Sequence, residues 1–176
     1  MTNGKKVVTG SMKFSFYIGI FALVIILYKK EREENKMKKI YLASPFFNEE
    51  ENAWVENAEK ILRDRGFDVY SPREHEVRDT NAVGTPKWAR KTFCQDVKAI
   101  DESDCVVMLY HGNYSDSGTA WECGYAYGWR PVVCVQIGDL SNLMVHCSVI
   151  ANITFEELKT YDFEKMPWID YTGDMT

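Results

Sequence analysis

The 176-residue chain has no two cysteines at CxxC spacing. Its five cysteines, Cys94, Cys105, Cys123, Cys134 and Cys147, are odd in number, and its histidines, His75, His111 and His146, are scattered. Zinc needs clustered thiolate or imidazole ligands, so neither a metal site nor a disulfide framework is expected, and the cysteines read as small, reduced core residues. There is no basic stripe with interleaved aromatics. The formal net charge is -5, with Lys and Arg spread along the chain. That composition argues against a nucleic-acid track and for a small-molecule partner. Internal repeats and low-complexity segments are missing, and the length suits one domain with a proper core better than two.

Long apolar runs are also lacking, with one exception. Residues 14–28 read FSFYIGIFALVIILY, with Lys13 before them and Lys29, Lys30 and Arg32 after. This is slightly short for a membrane span, and no small-residue cleavage site follows. Two readings stand. Residues 1–36 are a short signal anchor, which the heavier C-terminal positive charge would orient with the main domain in the cytoplasm. Alternatively, Met37 is the natural start and 1–36 are an upstream extension of a cytoplasmic protein. Either way, residues 37–176 are expected to be the catalytic domain.

From Lys39 the pattern becomes short apolar runs alternating with amphipathic stretches. Ile40 to Ala43, Phe67 to Tyr70, Cys105 to Tyr110, Pro131 to Ile137 and Val149 to Ile153 read as strands. Glu49 to Arg65, a stretch from Pro86 to Ile100, Thr119 to Tyr127 and Phe155 to Tyr161 read as helices, with Gly66 placed to end the first. This order predicts an α/β fold, a parallel sheet of about five strands with helices on both faces. Ligands of such a sheet bind beyond the carboxyl ends of its strands. Ala43 to Phe47, the Arg73 to Thr85 loop and His111 to Gly118 reach that rim.

The third of these runs from a buried strand into a helix carrying Glu122. A carboxylate in the first turns of such a helix points at the cleft, and the helix dipole favours its ionised form, as a nucleophile requires. This suits glycosidic chemistry, in which a carboxylate stabilises an oxocarbenium-like sugar or forms an ester with it. A second acid must then serve the leaving base. Asp96, Asp101, Asp104 and Asp116 are the nearby candidates. Trp88, Thr92 and Asp96 recur every four residues, on a stripe distinct from the apolar one. Phe46, Phe47 and Trp88 could stack on a base or belong to the core. Asn113 and Asn152 read as turn residues, and His111 and His146 as surface or satisfied polar groups.

These residues carry a resemblance. Asp116-Ser-Gly-Thr-Ala-Trp-Glu122-Cys-Gly-Tyr-Ala126 resembles the signature of the nucleoside 2-deoxyribosyltransferases. Ile40-Tyr41-Leu-Ala resembles the family's first strand. Asp96-Val-Lys-Ala-Ile100 with Ser103-Asp104 resembles its base-facing helix. Asn142-Leu-Met144, and Phe163 to Gly173 with Asp170-Tyr171, resemble its later segments. The similarity runs in order from Lys38 to Thr176. It implies a flavodoxin-like (Rossmann-like) fold and a double displacement on 2′-deoxynucleosides and free nucleobases, without metal or organic cofactor. In that scheme Glu122 is the nucleophile, Tyr41 orients it, and Asp96 manages the proton of the base. Asp116, Gly118, Phe46, Phe47 and Glu76 would bind substrate, and Asn142 would complete a neighbouring subunit's site in a homo-oligomer. The segment Ser44-Pro45-Phe46-Phe47 and the loop carrying His75 and Glu76 depart from the best-known transferases, which leaves purine or pyrimidine preference open.

Three rivals are weighed. N-glycosidases of deoxynucleosides or their monophosphates resemble the family, but those acting on monophosphates carry Ser where this chain has Asp116, and a carboxylate repels phosphate. A Toll/interleukin-receptor-like NAD-cleaving domain lacks the Asp-Xaa-Gly signature. The third is a non-catalytic nucleotide-sensing module.

Overall fold

The computed structural model describes residues 38–75 and 83–174. The expectations for residues 1–36 and for Glu76 fall outside them. Among the described residues, no helix is long and apolar enough to cross a membrane.

Five strands form one sheet: β1 (Lys39–Ala43), β2 (Asp68–Tyr70), β3 (Cys105–Tyr110), β4 (Val132–Gln136) and β5 (Ala151–Thr154). Their order is β2-β1-β3-β4-β5, and every neighbouring pair is parallel. This is the flavodoxin-like order, and its direction of winding reverses between β1 and β3. Among the described residues, four helices accompany the sheet: α1 (Glu49–Asp64), α2 (Pro86–Asp101), α3 (Asp116–Ala126) and the short α4 (Leu143–His146).

Local chemistry explains the ends of the first two helices. Asn48 caps α1, its side chain accepting from Glu51 N at 2.9 Å. Gly66 ends it at φ 85°, with Gly66 N donating to Arg63 O and Phe67 N to Leu62 O. That pair of bonds is a Schellman motif, which needs the left-handed residue that glycine supplies at least cost. Thr85 caps α2 ahead of Pro86.

The period-2 alternation of the strands sorts the core into two layers. Ile40, Leu42, Val107 and Leu109 face α1 residues Val55, Ala58 and Leu62, together with Leu158 and Phe163 from the C-terminal segment. Tyr41, Ala43, Val106 and Met108 face Ala99 and Ile100 of α2 and Cys123 and Ala126 of α3. Each fully buried aliphatic side chain contributes roughly 1.5–3 kcal/mol. β3, buried at all six positions, is the centre of both layers.

Several expectations are corrected. The helix read from Thr119 begins at Asp116, because the Asp116 carboxylate accepts from His111 N at 3.3 Å and Asn113 N at 2.9 Å and thereby turns the chain into the helix earlier. Glu122 therefore lies past the middle of α3 rather than in its first turns. The last predicted helix is only a 3-10 turn at Glu157–Lys159. Cys94 and Cys147 are exposed, although the other three cysteines are buried. Asn152 sits on β5 rather than in a turn. Of the two readings for His146, the satisfied polar group holds at Nδ1: the residue is buried, bonded to Asn152 Oδ1 at 2.7 Å and stacked on Tyr171.

The rim loops touch backbone to backbone. Gly138, after β4, lies so near the loop after β3 that a Cβ there would stand 2.0 Å from His111 O. Ile137 N and Gly138 N both donate to Tyr110 O, so the loops cannot part without losing these bonds. Gly138→Ala is expected to lower stability by roughly 2–4 kcal/mol, through overpacking against backbone. Urea unfolding reads it directly, and a loss below about 0.5 kcal/mol would show that the loops separate freely.

Candidate active site

Beyond the carboxyl ends of β1 and β3, at the reversal point of the sheet, lies a cavity of about 770 Å³. Glu122 and Gly118 of α3, Trp88, Thr92 and Asp96 of α2, and Phe46 and Phe47 after β1 line it. That volume suits a nucleoside-sized ligand. The stripe Trp88, Thr92 and Asp96 forms one wall because one helix face carries every fourth residue. Phe46 and Phe47 stack on one another at the cavity, Phe46 half-buried against the core and Phe47 75% exposed.

Tyr41 reaches up from β1, buried, and donates to Glu122 Oε1 at 2.7 Å. The parallel register sets Tyr70 of β2 beside Tyr41, and the rings stack at 5.7 Å. The Tyr70 hydroxyl stands 3.5 Å from Asp96 Oδ1 and accepts from Gln95 Nε2 at 3.0 Å. Each carboxylate thus meets one tyrosine of a stacked pair.

Burial governs the ionisation of both acids. Glu122 keeps some contact with the cavity, but the protein crowding its carboxylate raises its pKa from 4.5 to about 7; the Tyr41 bond lowers it and the Asp96 charge raises it further. The helix dipole, expected to keep Glu122 ionised, is outweighed at this mid-helix position. Burial likewise lifts Asp96 to about 6. Burial and the two carboxylates push Tyr41 far above its ordinary range, so it remains a donor. Both acids are therefore easier to protonate than a carboxylate in water.

Two predicted residues stand elsewhere. Asp116 is buried against the amides of its own loop and, with Asn142, lines a second cavity of about 770 Å³ on the other side of α3. Tyr114 and Ser117 border both cavities. Asn142 caps α4, its Oδ1 accepting from Met144 N and Val145 N. Its acceptor is therefore occupied, and its Nδ2 is the group it can offer outward. Asn142 thus opens a helix. Tyr70, Thr92 and His75 are site residues absent from the predicted set. Tyr70 was visible as a second strand-ending tyrosine, and Thr92 as a member of the stripe.

Gly118 has an ordinary φ, and a Cβ there would meet nothing within 4 Å. Neither fold nor helix requires glycine, which leaves the open cavity as the reason for it. Gly118→Ala should raise stability by up to about 1 kcal/mol through helix propensity and yet raise KM roughly tenfold by filling substrate space. Thermal melting and steady-state kinetics check the pair of effects; an unchanged KM would mean that substrate never approaches this position.

Two carboxylates raised in pKa by burial, lining one cavity at the switch point of a flavodoxin-like sheet, fit an enzyme acting on a small molecule through acid–base or nucleophilic carboxylate chemistry. The chain belongs to the nucleoside 2-deoxyribosyltransferase family, whose model matches residues 40–163. It is similar to the solved 2-deoxyribosyltransferase of the psychrotolerant bacterium Bacillus psychrosaccharolyticus, at 39% identity and a TM-score of 0.71 over 76% of this chain and 98% of that one. The nucleoside deoxyribosyltransferase of Lactobacillus leichmannii is 25% identical over 151 residues, covering 77% of this chain and 96% of its own. That of Limosilactobacillus fermentum is 32% identical over 96 residues, a match spanning 49% of this chain and only 56% of the relative's length.

Proposed function

We propose that this enzyme moves 2-deoxyribose between nucleobases through a covalent ester on Glu122. The observation that carries the reading is the pairing of Glu122 and Asp96 across one cavity, each with its own tyrosine. In the first half-reaction a Glu122 oxygen attacks the anomeric carbon, the bond to the base breaks, and its electron pair goes to the base nitrogen. Asp96 supplies the proton. In the second, a new base attacks the same carbon, the ester C–O bond breaks, and the carboxylate is restored as Asp96 takes the proton of the incoming base. A raised pKa makes Glu122 a stronger nucleophile, and the Tyr41 hydroxyl stabilises it again as a leaving group. The productive form has the proton on Asp96. Asn142 serves the site of a neighbouring subunit through its free amide hydrogens, and the active assembly is a homo-oligomer in the cytoplasm.

Deoxycytidine incubated with free adenine tests this. Deoxyadenosine should form, whereas cytosine and free deoxyribose alone would mean a hydrolase. Cytidine should be a far poorer donor, because a 2′-hydroxyl crowds Glu122 and inductively destabilises the oxocarbenium ion. Equal rates from the two donors would contradict the placement of Glu122 beneath the anomeric carbon.

A further inference from the structure

The 3-10 turn Pro72–His75 has no buried residue of its own, yet it is held from both flanks. Arg73 bonds Glu59 at 2.7 Å and Glu56 at 3.1 Å on α1, and Glu74 pairs with Arg63 of the same helix. From α2, Gln95 Nε2 donates to His75 O at 2.6 Å. The His75 ring lies on Tyr70 at 4.1 Å and 17°, and it lines the cavity beside Asp96. A surface turn held this way presents a preorganised side chain.

His75 Nδ1 stands 2.9 Å from Ser71 O. A carbonyl oxygen only accepts, so Nδ1 carries the hydrogen. In the neutral ring, Nε2 is then a bare acceptor. Next to it Asp96, when protonated, is a donor. The lining of one cavity therefore includes a donor and an acceptor. Adenine and cytosine match this pattern, since each sets an exocyclic amino group beside a ring-nitrogen acceptor. Hypoxanthine and uracil place a carbonyl oxygen where the amino group would be, lone pair against lone pair. An unpaired polar contact of that kind discriminates between bases.

Resting on the transfer reading above, we propose that His75 is a specificity-determining residue that selects amino-bearing nucleobases over their oxo counterparts through an acceptor Nε2. The test offers one donor, deoxycytidine, and equimolar adenine and hypoxanthine, and reads the early ratio of deoxyadenosine to deoxyinosine. Wild type should favour deoxyadenosine at least tenfold. His75→Gln, whose amide turns to donate or accept, should bring the ratio near one, and the donor-only His75→Lys should invert it. A wild-type ratio near one, or a ratio unmoved in His75→Gln, overturns the proposal while leaving transfer intact. Failure to form either product, with cytosine retained on the sugar, would instead bring down the transfer reading and this inference with it.

Discussion

Glu122→Gln is expected to lose base exchange by on the order of 10³-fold or more while melting at a higher temperature than wild type near neutral pH. The loss follows because an amide cannot form the glycosyl ester. The gain follows from linkage. The folded-state pKa of Glu122 is raised, from 4.5 to about 7, so its ionisation opposes folding. Stability is complete while the group is protonated in both states, below its ordinary value, and is lost as pH rises through about 7. The glutamine variant, which mimics the protonated form and still accepts from Tyr41, avoids that loss. Its advantage should reach up to about 3 kcal/mol at pH 8 and vanish near pH 4. Melting curves at the two pH values, beside an exchange assay, separate the effects. Retention of more than a tenth of wild-type exchange would refute the covalent mechanism, and equal melting at pH 8 would refute the raised pKa.

Mixing two inert variants should restore activity. Asn142 lies across α3 from the Glu122 cavity, so within one chain the two residues serve different cavities. If Asn142 completes a neighbour's site, Glu122→Gln and Asn142→Ser subunits rescue one another once their subunits exchange. Serine keeps the cap of α4, which removes the confounding cost of about 1 kcal/mol that alanine would incur. Random reassortment in a dimer places both native residues in roughly a quarter of the sites. Mass spectrometry verifies the exchange, and activity near that fraction is the expected result. Variants that remain inert after verified exchange would mean that Asn142 acts in its own chain or not at all, and a monomer could show no rescue.

The resemblance covers what is written locally in this chain. The caps at Asn48 and Thr85, the Schellman glycine at Gly66 and the period-2 strands follow from neighbouring residues, so element type and order were legible, and with them the parallel sheet. Trp88, Thr92 and Asp96 could be recognised as one stripe because a helix repeats every 3.6 residues. Glu122 stood out in its motif, but its setting was misjudged. The start of α3 depends on where the Asp116 carboxylate folds back, which no periodicity reports.

The amino-acid order by itself determined the five strands, the first two long helices, the family and the candidate carboxylates, because propensity, capping and motif spacing act over a few residues. Only the tertiary structure decided how those carboxylates behave. The stacking of Tyr41 on Tyr70 comes from strand register, and the Tyr70–Asp96 approach joins residues 26 positions apart. The rise of Glu122 to about 7 comes from the layers closing over it. The commitment of His75 Nδ1 to Ser71 O is a short-range bond, but its meaning depends on the cavity that β1, α2 and α3 enclose together. Desolvation and ring orientation are properties of the surrounding atoms, and chain segments distant in sequence supply those atoms only after folding.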